Sequence, residues 1–588
     1  MVLTSRSWAL ATAATVLATG VAAAQLQFIA PPLLPAGKAQ ISGVVLTDTG
    51  APAPGAKVIV NTLCRAFEEC YSPRETRTDS AGKIVLAGVP SQPLTLQADM
   101  PGFSPASFGE AGPGLPGTPI QLDPEERLDV VMRLARGATL RGFVFDADGV
   151  PAKGIELYAF RLEPLGAGHD LMGGFSLQER RGRTLSNDQG EFELSDLPPG
   201  RYLLGGYRDI GKISRQPVQK LRSGEEALET GAFYPDAVDW DSAEKLVLTA
   251  GEVRANLTLR LRMNTITEVR GVVRGQDGKP ATNAHVRLLP AKGQRFTVSE
   301  ARTAQDGSFV LDRATAGEYH VVAKSASEVP LWGQRNVTSD GRTPTSVSVD
   351  LQPGGTVRGR VVFSRGSIDA SQLHIFLNRI PHDNYQYPMS GTSLEFSFRG
   401  VPPGRFRISP SPNGPEWRVQ SILVDGQDVL DSGFEMFGTE VRDAVVTLSR
   451  GQRVLNGTVR NPANKPHPGC TVVVFSPDTR HWTEASMRVE RVRPDTKGRF
   501  SFHTLPPGEY LVALASADLY GIPDHMGLSA LIRDAVRVTL PEDGTVSVDL
   551  VAPAGSGLPY ARAHTPDPRV NAGRQPVRAN GAPSLQAR

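Results

Sequence analysis

Apolar and polar residues alternate along this chain in short runs, and the same order of runs returns five times. Each return opens with an aliphatic residue, a glycine and a valine at alternate positions, in ISGVV, LRGFV, VRGVV, VRGRV and LNGTV. The glycines stand at 43, 142, 271, 359 and 457. A period of two places all three residues on one side of a strand. A glycine on an inward face marks close approach by another backbone. After a turn such as DADGVPAKG or GQDGKPATN comes a second alternating strand, seen in Val58 and Val60 or in Val286 and Leu288.

The second half of each repeat is more regular still: KIVLAGVPSQPLTL, EFELSDLPPGRYLL, SFVLDRATAGEYHV, EFSFRGVPPGRFRI and RFSFHTLPPGEYLV. Apolar pairs (Ile84 and Leu86, Phe192 and Leu194, Phe309 and Leu311, Phe396 and Phe398, Phe500 and Phe502) define a core face. The pattern predicts a hairpin. Its PPG turn is expected to be type II, with Gly200, Gly404 and Gly508 at the positive-φ position. The returning strand points Tyr202 and Leu204, Phe406 and Ile408, or Tyr510, Val512 and Leu514 inward. Short turns, NDQG, AQDG and DTKG, precede the pair. A last alternating run closes most repeats, as in LDVVMRL, ANLTLRLRM, SVSVDL, DAVVTLSR and TVSVDLV.

Roughly seven short strands in about 90 to 130 residues is the pattern of an immunoglobulin-like sandwich. The expected fold is therefore all-β, a tandem array of about five immunoglobulin-like antiparallel β-sandwich modules. The expected division is a signal peptide at 1–24, a linker at 25–39, and modules at 40–136, 137–263, 264–353, 354–450 and 451–553. Residues 554–588, rich in Pro, Gly, Ala and Arg without alternation, read as a disordered tail.

The G-x-V opening, the D-x-x-G turn, the F-x-L strand and LPPGxY followed by alternating apolars resemble the carboxypeptidase regulatory-like family, a transthyretin-like β-sandwich. The likeness runs to about residue 553 and is closest in modules two and five. It is weakest in module one, where SQP replaces PPG. FYPDAVDWDSAEKLVLTAGE in module two and ILVDGQDVL in module four resemble the family's longer versions. The resemblance implies a fold and leaves function open.

Composition narrows the function classes. Of 588 residues 60 are Gly and 47 Pro, which favours short strands over long helices. Lys and Arg total 63 against 61 Asp and Glu, for a net charge of +2. That balance gives no footprint for nucleic acid. Arg6, the apolar stretch Trp8 to Leu17 and Ala22-Ala23-Ala24 read as a secretory signal, so the protein is expected to be exported, periplasmic or secreted. No later stretch has the length of a membrane helix, so none is expected in the mature chain. In an oxidising compartment Cys64 and Cys70 are expected to form a disulfide, and Cys470, alternating with Val472 and Val474, to be a buried thiol.

Nothing in the sequence reads as a catalytic site, a cofactor site or a metal site. The one H-x-x-E pair, His481 and Glu484, lies in a variable loop without the large α/β domain that a zinc carboxypeptidase site requires. The acidic turns at Asp146, Asp148 and Asp188 supply too few oxygens for calcium and read as turns. Trp240, Trp332, Trp417 and Trp482, one in each of modules two to five, lie outside the alternating runs. They read either as caps over the ends of the cores or as surface platforms for a sugar or a partner. Tyr202, Tyr319 and Tyr510 recur with Phe406 in module four, which predicts a structural position that does not need the hydroxyl. The expected function is a non-enzymatic extracytoplasmic binding or scaffolding protein, shaped as a semi-rigid rod. Its partner is an envelope polysaccharide or another extracytoplasmic protein. The alternative is an accessory, non-catalytic subunit of an exported hydrolase such as a peptidase or glycosidase.

Overall fold

The computed structural model describes residues 34–63, 71–162, 182–207, 218–221, 223–237, 242–291, 297–380, 389–391, 393–412, 417–451, 453–483, 486–517, 519 and 525–553. The expected signal peptide, the Cys64 to Cys70 pair, Trp240, Glu484 and the C-terminal tail lie outside them.

The described chain is all-β, with one short α-helix (His525–Leu531) among the described residues. It forms five successive two-sheet sandwiches. In the first sheet of each, the opening strand is central: Ala39–Thr47, Ala138–Phe145, Thr267–Arg274, Gly355–Arg365 and Arg453–Arg460. On one side it pairs antiparallel with the F-x-L strand: Lys83–Val89, Glu191–Leu197, Ser308–Ala314, Glu395–Val401 and Arg499–Phe502. On the other side lies the closing alternating strand: Arg127–Leu134, Val253–Arg260, Thr345–Asp350, Val441–Arg450 and Gly544–Val551. This pairing is parallel in all five modules. The sandwich is thus mixed rather than wholly antiparallel. The chain between the two parallel strands builds the body of the second sheet, which supplies the long crossover that parallel pairing requires.

In the second sheet, the second strand (Lys57–Thr62, Glu156–Arg161, His285–Pro290, Leu373–Ile380, Cys470–Phe475) pairs antiparallel with the returning strand. The latter is Leu94–Asp99, Gly200–Tyr207, Ala316–Lys324, Gly404–Pro412 and Gly508–Ser516. The two strands on either side of PPG therefore belong to opposite sheets, and the expected hairpin is a sheet-to-sheet crossover. Gly200, Gly404 and Gly508 do have positive φ, at 158°, 143° and 142°, but extended rather than near the +80° of a type II turn. They are the first residues of the returning strands. The tighter left-handed residue comes earlier, at Gly88, Asp196, Arg313 and Gly400, with φ between 60° and 68°. Alternation alone cannot tell a hairpin from a crossover, because both strands turn an apolar face to the same core.

Each pair of sheets closes over its own apolar core, and every F-x-L pair named above is buried. The inward residues of the returning strands are buried too, with Leu514 half-buried at the edge. The opening glycines behave as their position predicts. A β-carbon at Gly359 would stand 2.7 Å from the Ala444 carbonyl oxygen, and at the other four it would meet the carbonyl of Val130, Leu257, Val347 or Val548 on the parallel strand.

Candidate functional site

The turns that first suggest metal chemistry are occupied by their own backbone. Asp146 Oδ1 accepts from the N–H groups of Asp148 and Val150 at 3.0 and 2.8 Å. Asn187 does the same for Gln189 and Glu191, both at 2.9 Å. These are Asx turns, in which a short polar side chain replaces a backbone acceptor. His481 ends a turn of 3₁₀ helix, its Nδ1 3.0 Å from Ser476 Oγ. Cys470 is fully buried, and burial pushes its thiol up to about 12, so the nucleophilic thiolate is suppressed.

Of the four tryptophans singled out in modules two to five, three are described, and all three are interior. Trp332 packs into the core of the fourth module although it belongs to the third, and its indole N–H donates to the Gly400 carbonyl. Trp417 meets Phe363 edge-on at 5.6 Å between ring centroids. Trp482 meets Phe475 at 5.7 Å and donates from Nε1 to the Ser476 carbonyl at 2.8 Å. Each is at most 7% exposed, so none of the three offers a free ring face for stacking. Trp332 spans the junction between the third and fourth modules, whereas Trp417 and Trp482 pack within their own modules.

The recurring tyrosines are buried, and their hydroxyls are bonded as well. Tyr202, Tyr319 and Tyr510 each donate their hydroxyl to the carbonyl four residues upstream, Pro198 at 2.6 Å, Thr315 at 3.1 Å and Pro506 at 2.8 Å. The ring fills the core while the hydroxyl ties down the crossover, as in the tyrosine corner of immunoglobulin-like domains. Phe406 fills the same space without that bond, so the position tolerates loss of the hydroxyl but uses it where present.

The concave surface best furnished for a ligand lies where the third and fourth modules meet. Its floor is the outer face of the third module's second sheet, where cross-strand register sets Arg287, Val322 and Gln334 in one row and Leu289, His320 and Asn336 in the next. The opposite wall is the fourth module's Pro402-Pro403-Gly404 crossover together with Met436 and Phe437, and the cleft encloses about 800 Å³. Gly400 makes the close docking possible. Pro330 of the third module packs where a side chain would stand, its carbonyl oxygen 2.6 Å from the β-carbon position.

The cleft is rich in hydrogen-bonding groups. Asn336 Oδ1 lies 2.8 Å from His320 Nδ1, and Gln334 and Asn336 are exposed on successive outward positions of Leu331–Asp340. Arg335 holds Asp350 at 3.2 Å, whereas Arg287 has no ion-pair partner among the described residues. Phe437 is 64% exposed at the rim. A floor on which amide, imidazole and guanidinium groups stand among the apolar Val322 and Leu289, with one exposed aromatic ring at the rim, forms a recognition surface for a polar ligand. Reading the sequence did not find this cleft, because its walls come from two modules. The one local signal is the second phenylalanine of FEMFG, which breaks the alternation.

Residues 40–135 and 268–358 match the family model of the carboxypeptidase regulatory-like domain. The matching stretches are the first and third modules rather than the second and fifth, where the PPGxY signature is strongest. The second module inserts the strands Gln219–Lys220 and Glu226–Thr230, and the fifth inserts the helix His525–Leu531, between the shared strands. No curated protein matches the chain. Among solved structures, a streptococcal ancillary pilin is 11% identical with a TM-score of 0.22, covering 53% of this chain and 99% of that one. The minor pilin of Streptococcus agalactiae is 12% identical with a TM-score of 0.19, covering 38% and 95%. Two repeat units of the collagen-binding protein of Staphylococcus aureus are 10% identical with a TM-score of 0.14, covering 70% and 99%. Scores this low carry no argument about function.

Proposed function

We propose that this chain is a non-enzymatic binding protein that works outside the cytoplasm and holds an envelope polysaccharide in the cleft between its third and fourth modules. The observation that carries the reading is the cleft itself, a sheet face set with Arg287, His320, Gln334 and Asn336 and rimmed by the exposed ring of Phe437. Hydroxyl-rich chains are recognised by such side-chain amides and guanidinium groups, and by aromatic faces that cover the apolar side of a sugar ring. Trp332 enters this reading as part of the rigid floor, buried and held by Gly400. Trp417 and Trp482 belong to the cores.

Calorimetric titration with fractionated envelope polysaccharide tests the proposal. Phe437→Ala and Arg287→Ala are each expected to weaken binding about tenfold or more, as anchor residues do, with an unchanged melting temperature. Equal affinity in the wild type and both variants would overturn it.

A further inference from the structure

The five modules touch in chain order, and the fifth also touches the first. Asp196 of the second module accepts from the Gly102 N–H of the first at 2.8 Å. Glu225, in the second module's inserted sheet, pairs with Arg342 of the third at 3.1 Å. Trp332 joins the third to the fourth. Asp431 of the fourth, 3% exposed, accepts from Ser486 Oγ and the Met487 N–H of the fifth at 2.9 and 2.8 Å. The circuit is closed by the DTKG turn of the fifth module. Lys497 Nζ reaches Asp123 Oδ2 at 2.7 Å and Glu126 Oε2 at 2.6 Å in the first module. The Thr496 N–H donates to the Pro119 carbonyl at 3.2 Å and Arg499 to the Gln121 carbonyl at 2.9 Å. Arg493, 8% exposed, donates to the carbonyls of Pro116 and Gly109.

The other modules supply an internal control. The corresponding turns, DSAG at 79–82, NDQG at 187–190 and AQDG at 304–307, expose every residue but the glycine. In DTKG Asp495 is buried and Thr496 and Lys497 are half-covered. The residue ahead of the turn differs as well. Thr78, Ser186 and Thr303 bond within their own modules, to the carbonyls of Ala53, Ala152 and Ala281. The fifth module has Pro494 there, with Arg493 before it. The receiving segment, Gly109 to Pro119, is rich in glycine and proline, and its carbonyls turn toward the guanidinium groups. Arg161 of the second module grips it from the other side, through the carbonyls of Gly114 and Pro113 at 3.0 and 2.9 Å.

We infer that the array is a closed one, latched by docking of Arg493, Lys497 and Arg499 of the fifth module onto the Gly109–Glu126 segment of the first, and not the open rod that tandem modules suggest. The latch does not depend on the cleft between modules three and four. Tethering by the chain favours the intramolecular contact over the same contact between copies.

A zero-length carbodiimide cross-link on the intact protein tests the closure, because it joins only amines and carboxylates already in contact. Peptide mapping of the monomer is expected to find Lys497 joined to Asp123 or Glu126. Absence of both products, or their presence only in dimers and larger species, would overturn the inference. A second measurement guards against a variant that unfolds. In Arg493→Ala/Lys497→Glu with an unchanged circular dichroism spectrum, small-angle scattering is expected to show a larger maximum dimension than in the wild type. An identical profile would contradict the latch.

Discussion

Phe500 lies across the face of Gly457, its directly opposed residue on the neighbouring strand, with Cζ 2.6 Å from where a β-carbon would stand. Phe309 over Gly271 and Phe396 over Gly359 repeat the arrangement, at 2.7 and 2.5 Å. The glycine thus makes room for an aromatic ring on one side and a parallel strand on the other. Gly457→Ala is expected to destabilise the fifth module by about 1–3 kcal/mol, the usual cost of overpacking a filled core. Thermal unfolding measures it, and an unchanged transition would show that the ring or the parallel strand yields freely.

Gly508 has φ 142° with open space around it, so a side chain there meets backbone strain and no neighbour. Gly508→Val is expected to cost about 1–3 kcal/mol, because this region of backbone space belongs to glycine. Asp431 and Arg493 tie the fifth module to the fourth and the first, so calorimetry is expected to show their transitions shifting with it. A shift confined to one transition would mean that these docking contacts contribute little.

Tyr510→Phe keeps the ring and removes the hydroxyl that bonds to Pro506. A loss of about 1 kcal/mol is expected, the net worth of one buried hydrogen bond. Chemical denaturation of this variant beside Phe406→Tyr would show whether the fourth module can gain the same bond.

The repeat, the inward faces and the close approach at the five glycines were all legible, because each is written in a period-two pattern within one module. The parallel pairing was not. Alternation gives the face of a strand but not its neighbour, and LDVVMRL reads the same beside either partner. The PPG crossover was mistaken for a hairpin for the same reason. The cleft draws its walls from two modules, and the latch depends on residues 374 positions apart, Lys497 and Asp123. Only the change from Thr or Ser to Arg493-Pro494 ahead of the turn marks the fifth module as different.

Glu110 gives the first module a pH signature. Burial raises its carboxyl from 4.5 to about 7, against the opposing pull of the Ser107 and Gly114 N–H groups and of Arg161 and Arg493. Between these values the folded protein holds a proton that the unfolded chain releases, so this group's contribution to stability falls as pH rises from about 4.5 to 7. Glu110→Gln is expected to remove that slope. Urea unfolding from pH 5 to 8 should show the variant gaining on the wild type as pH rises. A constant difference would mean that the carboxyl titrates normally.

Hydrogen exchange with and without bound envelope polysaccharide tests the central claim most directly, since it locates the ligand without altering a residue. Protection is expected in His285–Pro290, Ala316–Lys324, Leu331–Asp340 and the segment around Phe437, the strands and rim of the cleft. Protection that falls elsewhere on the five modules, or none at all despite binding, would contradict it.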